Sequence, residues 1–174
     1  MAGSLIKIDE EIVSSAVASV SLLGIDSTYD VYMVRYNNVQ PETDLQNLNV
    51  RFTVSGSPDT SSNYDYAFKK LRTDTSFNTL TATNQDKLRT SATPTGTSAS
   101  EVNNGLMYLF NFNNASEYSF ITEEETMRSY TGLLIGNQGG GVLTVAQTCD
   151  GIQFFFDSGN IDTGSSFVLY GLKK

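Results

Sequence analysis

The clearest indication of the fold class is the segment Leu48-Asn49-Val50-Arg51-Phe52-Thr53-Val54. Apolar and polar residues alternate along it without interruption. Successive side chains of a β-strand point to opposite faces of the sheet, so this period is typical of a strand with one buried face. The stretch therefore predicts a core strand, with Phe52 among the core residues.

The same alternation recurs along the chain, and other runs are more continuously apolar. The alternating runs are Tyr64, Tyr66 and Phe68; Leu106, Tyr108, Phe110 and Phe112; and Tyr118 and Phe120. The continuous runs, expected as more deeply buried strands, are 29–39, 130–135, 142–149, 152–156 and 167–172. Because each aromatic falls on one side of its strand, we expect these rings in the core rather than in an exposed platform for sugars.

Turn signals separate these runs. Asp150-Gly151 stands between two of them and predicts a two-residue hairpin turn of type I′, and Asn104-Gly105 predicts another. Only 65–73 and 123–130 offer short helical turns. About ten short strands predict an all-β fold, and we favour an antiparallel two-sheet sandwich of jelly-roll type, with a barrel as the alternative.

The length of 174 residues fits one domain, 1–174. Residues 1–10 carry Leu5, Ile6 and Ile8, and they form either an N-terminal arm on a neighbouring subunit or an ordinary edge strand. Residues 56–63 and the longer, Ser/Thr/Asn-rich 73–103 are expected as polar loops. Long loops tend to be functional, so these either reach a neighbouring subunit or receptor or are plain surface elaboration.

The amino-acid composition limits the kinds of catalysis and binding that this chain could carry out. The chain has no histidine, which removes the usual general base and the usual zinc ligand. The net charge of −8, without a basic stripe, opposes binding to nucleic acid. The lone Cys149 is expected as a buried thiol. The N-terminus lacks a signal-peptide pattern and no run suits a membrane helix, so we expect a soluble cytoplasmic product without membrane insertion.

Three groups of residues suggest site chemistry, and each has a simpler interpretation that we prefer. Glu123-Glu124-Glu125 lacks the spacing of a calcium loop and is expected as a solvated acidic turn. The glycine-rich run 136–141 resembles a phosphate loop but lacks its Lys-Ser/Thr pair, so a flexible connection is expected. Asp150, Asp157 and Asp162 could pair for glycoside hydrolysis, but aspartates commonly stabilise turns. We therefore predict no catalytic, cofactor-binding or metal-binding residues, and no cofactor.

Two segments resemble a known type of protein. The C-terminal segment 155–172 has an apolar strand, a Ser158-Gly159-Asn160-Ile161 turn, a Gly/Ser/Thr stretch and a strand ending in Leu169-Tyr170-Gly171. The segment 23–34, with 41–44 and the strand that carries Arg51, matches in the first half. These features resemble small bacteriophage virion structural proteins of the capsid-decoration, head-fibre and tail-fibre type, although 73–103 has no counterpart in that resemblance.

The resemblance implies a structural protein, not an enzyme, on the virion surface. The expected role is a capsid decoration protein that stabilises the head and contacts the major capsid protein or other virion structural proteins. Self-association is also expected, with a trimer by analogy. No coiled-coil heptads are present, which favours decoration. The alternative is a tail-fibre or head-fibre protein that binds a receptor, such as a host-surface glycan, through its loops.

Overall fold

The structure, a computed structural model, describes residues 4–74, 76–91 and 93–173. Within these ranges the chain forms β-strands and no helix, which confirms the all-β prediction and leaves no helix that could cross a membrane. The strands are β1 Leu5–Ile12, β2 Val20–Leu23, β3 Val31–Val39, β4 Leu48–Val54, β5 Ser57–Pro58, β6 Tyr64–Arg72, β7 Phe77–Gln85, β8 Leu88–Arg89, β9 Asn103–Phe110, β10 Ser119–Arg128, β11 Leu134–Leu143, β12 Gly151–Phe156 and β13 Ser166–Leu172.

The strands form two antiparallel sheets. The larger sheet has the order β1-β13-β3-β9-β10-β11-β6-β7, and the smaller has the order β2-β12-β4-β5, with β8 also paired to β4. The pairs are nested: β1 with β13, β2 with β12, β3 with β9 and β4 with β5. Nested pairs that alternate between two sheets make a jelly roll, and β6, β7, β10 and β11 extend its larger sheet.

The core lies between the two sheets. Phe52 of β4 is fully buried, as predicted, and its ring centroid lies 4.5 Å from that of Phe112 and 5.4 Å from that of Tyr64. Phe154 of β12 packs in the same way on Phe167 of β13, with centroids 4.8 Å apart. These contacts join the smaller sheet to the larger one.

Two of the expected strands have other boundaries. The expected strand 130–135 is mostly a turn, closed by the Gly132 amide donating to the Ser129 carbonyl at 2.8 Å. Only the first two residues of 142–149 belong to a strand. Conversely, both expected helical turns are strands, because 65–72 lies in β6 and 123–128 lies in β10.

Neither predicted hairpin turn exists. Gly151 begins β12, whereas the preceding strand β11 lies in the other sheet, so the Asp150-Gly151 pair connects two layers. Asn104 and Gly105 lie inside β9, where Gly105 pairs with both β3 and β10 and Asn104 pairs with β10. Asp-Gly and Asn-Gly tolerate left-handed backbone without requiring it, and none of these four residues has a positive φ.

The expected long loop 73–103 is not a single loop. It contains β7 and β8, and Thr90, Ser91 and Thr95 are fully buried. The Leu48 amide donates to Ser91 Oγ at 2.8 Å, and Asn103 Nδ2 donates to Thr95 Oγ1 at 2.8 Å. Ser91, Thr95 and Asn103 therefore satisfy buried backbone and side-chain groups, whereas other Ser, Thr and Asn residues of this segment face solvent. The shorter expected loop 56–63 contains β5.

The N-terminal segment is an edge strand over the residues that the structure describes. β1 pairs along β13, with a register shift between Lys7 and Asp9. Leu5 and Ile12 are exposed, at 51% and 61%, whereas Ile8 packs against the core. Residues 1–3 of the expected arm lie outside the described residues.

Candidate functional site: the outer face of the larger sheet

Apolar side chains form a row across the solvent-facing side of the larger sheet. The strand register places Val31 beside Phe110, Phe110 beside Phe120, and Phe120 beside Val142. Phe120 is 43% exposed, and the other three are half-buried by their neighbours. Residues directly opposite in antiparallel strands share a face, so these four side chains make one continuous strip.

A second row lies next to the first. Tyr170 pairs with Met33, and Met33 pairs with Tyr108, which is 39% exposed. The row continues through Thr122 to Gly140. With strands spaced about 4.8 Å apart, a row over five strands extends roughly 19 Å.

These two rows, with Leu106 from the adjacent row, define the outer apolar patch. Its residues are Val31, Met33, Leu106, Tyr108, Phe110, Phe120, Val142 and Tyr170. Continuous apolar surface of this kind on a monomer marks a site for association. A broad sheet face suits a protein partner better than a small ligand, because small ligands bind in concave pockets.

The prediction that the alternating aromatics lie in the core is wrong for β9 and β10. Leu106, Tyr108 and Phe120 point outward, and Tyr118, just before β10, is 45% exposed. Alternation specifies that one face is apolar but does not specify which side the core lies on. Phe112 does reach the core, because Asn111 at φ 61° follows the end of β9 and breaks the alternation.

The inner face of β10 carries acids instead. Glu123 and Glu125 are 1% and 5% exposed, so the predicted solvated acidic turn is wrong. Tyr36 Oη donates to Glu123 Oε1 at 2.6 Å, and Glu123 Oε2 has no hydrogen-bond partner. Burial raises the pKa of Glu123 to about 8. The same burial, with the nearby carboxylates, raises the pKa of Tyr36 well above its ordinary value. At neutral pH the pair is therefore largely uncharged, which reduces its desolvation penalty.

The glycine-rich run 136–141 is not a flexible connection but the middle of β11. At Gly139, an aromatic residue of the neighbouring strand occupies the space that a Cβ atom would fill. A Cβ on Gly139 would lie 2.7 Å from Cδ1 of Phe68, its partner in β6. In β9, Gly105 likewise lies beneath the Tyr36 ring. The glycines therefore serve packing, and no phosphate loop is formed.

The three aspartates considered for glycoside hydrolysis do not form a pair. Asp150 precedes β12 and Asp157 follows it, which separates them by roughly 20 Å at 3.3 Å per residue. Asp150 accepts hydrogen bonds from Thr53 Oγ1 at 2.6 Å and from the Gly56 amide at 2.7 Å. It therefore fixes a turn.

The other two aspartates are also engaged locally. Burial opposes ionisation of Asp157, but hydrogen bonds from Lys87, Asn47 and Asn49 outweigh it and lower the pKa of the carboxyl. Asp162 accepts from the amide of the next residue. These geometries stabilise turns and leave no paired carboxylates across a cleft.

Cys149 is fully buried, as predicted, and burial raises the pKa of its thiol to about 11. Over the described ranges, no group of three or more Asp, Glu or Cys side chains is arranged to hold a metal ion. The outer apolar patch is thus the feature of this surface with the clearest capacity to bind a partner. Sequence patterns identify Tyr108, Phe110 and Phe120 as strand residues but assign them to the core. Only strand register shows them beside Val31, Met33 and Tyr170 on the outer face.

Comparison with protein-family models gives no match to this chain, and comparison with curated proteins gives none either.

Proposed function

We propose that this protein is a bacteriophage virion structural protein that binds the outside of the head as a capsid decoration protein. The observation that carries the proposal is the outer apolar patch. A broad apolar area on one face of a β-sandwich is suited to contact with another protein. The resemblance of two segments to small phage virion proteins supports a phage particle as the assembly that this protein binds. The partner of the patch is then a major capsid protein or another virion protein.

The larger sheet is wide enough for this role, because its eight strands, spaced about 4.8 Å apart, extend over roughly 34 Å. Stable protein interfaces bury about 800 Å² on each partner. Exposed aromatic residues such as Tyr108 and Phe120 are enriched in such interfaces and dominate their binding energy. Self-association, including a trimer, is part of the proposal, because β1 leaves an edge with exposed Leu5 and Ile12 that a second copy would cover.

A second candidate function is receptor binding by a tail-fibre or head-fibre protein. The observation that favours it is the outward position of Tyr108 and Tyr118, since exposed aromatic rings stack on sugar faces. The two candidates differ in where the protein lies on the particle.

Immunolabelling of intact particles, imaged by electron microscopy, tests the location. Label distributed over the head is expected for decoration, and label confined to the tail or fibres would establish the second candidate instead. Intact particles that contain the protein in no surface position would overturn both proposals.

A binding assay with heads that lack the protein tests the patch itself. We expect Phe120→Glu to weaken head binding about tenfold or more, because it places a charge in the centre of the interface. The control is Phe77→Glu on β7, since Phe77 is 64% exposed but lies outside the patch. Equal effects of the two substitutions would show that the patch does not contact the head.

A further inference from the structure

A cleft of about 660 Å³ lies on the opposite side of the larger sheet from the outer apolar patch. It forms where β6 and β7 extend the sheet past the smaller one. Its walls are β6, β7, the turn between β10 and β11, and three further residues, Arg89, Thr93 and Pro94. A volume of this size suits a small ligand of two to four sugar rings, within the ordinary range for binding pockets.

Three of the eleven cations of this acidic chain line the cleft. Lys70 and Arg72 project from β6, where they pair with Asn137 and Ile135, whose side chains are buried on the inner face. Arg89 enters from the opposite wall, on β8. Positive charge is thus concentrated at one place on a protein whose net charge is −8.

The cations are only partly neutralised. Arg72 forms a bidentate pair with Asp74, at 3.1 and 2.6 Å. Arg89 uses Nε to donate to the Ser91 carbonyl at 3.0 Å, and Glu125 and Asp157 add attractive charge. Over the described ranges, the Lys70 ammonium has no hydrogen bond or ion pair.

Burial and the positive charges of the cleft destabilise the charged form of Lys70. Burial, together with Arg72 and Arg89, lowers the pKa of Lys70. Desolvated like charges repel one another, and a bound anion would relieve that repulsion. The cleft is therefore organised to stabilise negative charge on a ligand.

The remaining lining is not that of a simple phosphate site. Hydroxyl groups are contributed by Thr93, Tyr130 and Thr131. Apolar surface comes from Leu80, Pro94 and the ring of Tyr130, which is 50% exposed. Hydroxyls beside apolar surface and an open aromatic ring match the alternating polar and apolar faces of a sugar.

We propose that this cleft binds an acidic saccharide, with Lys70, Arg72 and Arg89 facing its carboxylate or sulfate groups. The hydroxyls of the lining bind the sugar hydroxyls, and Tyr130 stacks on a ring face. Nucleic acid suits the cleft less well, because single strands track long basic grooves, whereas this cleft is short and the protein carries a net charge of −8. The proposal goes beyond the decoration role and does not depend on it.

Isothermal titration calorimetry with the full-length protein tests the ligand class. The probes are trigalacturonic acid, a sulfated heparin tetrasaccharide, neutral maltotriose, inorganic phosphate and a short single-stranded oligonucleotide. We expect one or both acidic saccharides to bind about tenfold or more tightly than maltotriose and phosphate. Binding to the uronate or to the sulfated probe alone identifies the acidic group.

Matched variants test the site. Lys70→Gln and Arg72→Gln should each weaken saccharide binding about tenfold, the usual value of a charge-assisted hydrogen bond. Lys69→Gln is the control, because Lys69 lies next to Lys70 on β6 but points to the other face. NMR shift mapping on the unmodified protein locates binding without any variant, so a poorly folded variant does not decide the result.

Three results would overturn the proposal: no acidic saccharide binding at millimolar concentration, equal binding of phosphate or oligonucleotide, or shifts outside the cleft. Because the cleft and the outer apolar patch lie on opposite sides of the sheet, Phe120→Glu leaves saccharide binding unchanged. Failure here is thus distinguishable from failure of the decoration role.

Discussion

At the scale of single residues, Phe52 is the centre of an aromatic cluster that holds the two sheets together. Replacing it with Ala removes a fully buried ring and leaves a cavity. We expect Phe52→Ala to lower the free energy of unfolding by about 3 to 5 kcal/mol, measured by chemical denaturation.

Phe110→Ala is the comparison for that measurement. Phe110 is half-buried in the outer apolar patch, so its loss is expected to cost about 1 kcal/mol. The sequence assigns both phenylalanines to the core, and only the structure separates them. Equal losses for the two substitutions would contradict the assignment of Phe110 to the outer face.

Glu123 makes stability depend on pH. Its pKa is about 8 in the folded protein, against 4.5 ordinarily, because its carboxyl is buried. Between these values the folded chain holds a proton that the unfolded chain has released, so stability falls as pH rises. The slope from this group reaches at most about 1.4 kcal/mol per pH unit.

Glu123→Gln should remove that slope. We expect the free energy of unfolding of the variant to rise relative to the unmodified protein between pH 5 and pH 8, as measured by denaturation at each pH. The control is Glu124→Gln, since Glu124 is exposed on the other face of β10. Parallel pH profiles for both variants would mean that Glu123 is already ionised in the folded protein.

At the scale of elements, β11 depends on glycine at one position and not at another. A Cβ on Gly139 would lie 2.6 Å from Cα of Phe68, so β6 must move to accept it. On Gly136 the nearest contact is an ordinary 3.6 Å from Leu71.

We therefore expect Gly139→Ala to destabilise the protein by about 2 to 3 kcal/mol, as overpacked sites do. Gly136→Ala, the same change in the same strand, should alter stability by no more than about 0.5 kcal/mol. Thermal unfolding of the two variants checks this. If Gly139→Ala is as mild as Gly136→Ala, the close packing of Phe68 on β11 is incorrect.

The strands themselves divide into those that sequence patterns identify and those that they miss. β4 is identified because its pattern is regular and its core side chains are aliphatic or aromatic. For β10 the sequence predicts a helical turn over 123–130, because Glu123 and Glu125 occupy its buried positions, where apolar residues are expected. For β11 the sequence predicts a flexible connection over 136–141, because glycines have no side chains to form an apolar pattern. In the folded protein, the neighbouring Phe68 fills part of the space that side chains would occupy.

At the scale of the whole molecule, the two proposed sites lie on opposite sides of one extended sheet. The four strands added to the jelly roll widen the outer apolar patch and form the cleft. β10 and β11 widen the outer face that carries Phe120 and Val142. β6 and β7 project past the smaller sheet and leave the cleft that holds Lys70 and Arg72.

The all-β class, the buried Cys149 and the core position of Phe52 can be predicted from the sequence alone, which also favours a two-sheet sandwich over a barrel. These follow from local alternation and composition, which act on neighbouring residues. Two outcomes appear only in the folded protein: which face of β9 and β10 meets the core, and which distant cations share a cleft. Those outcomes depend on pairing between strands far apart in the chain, and a period of two residues fits either face equally well.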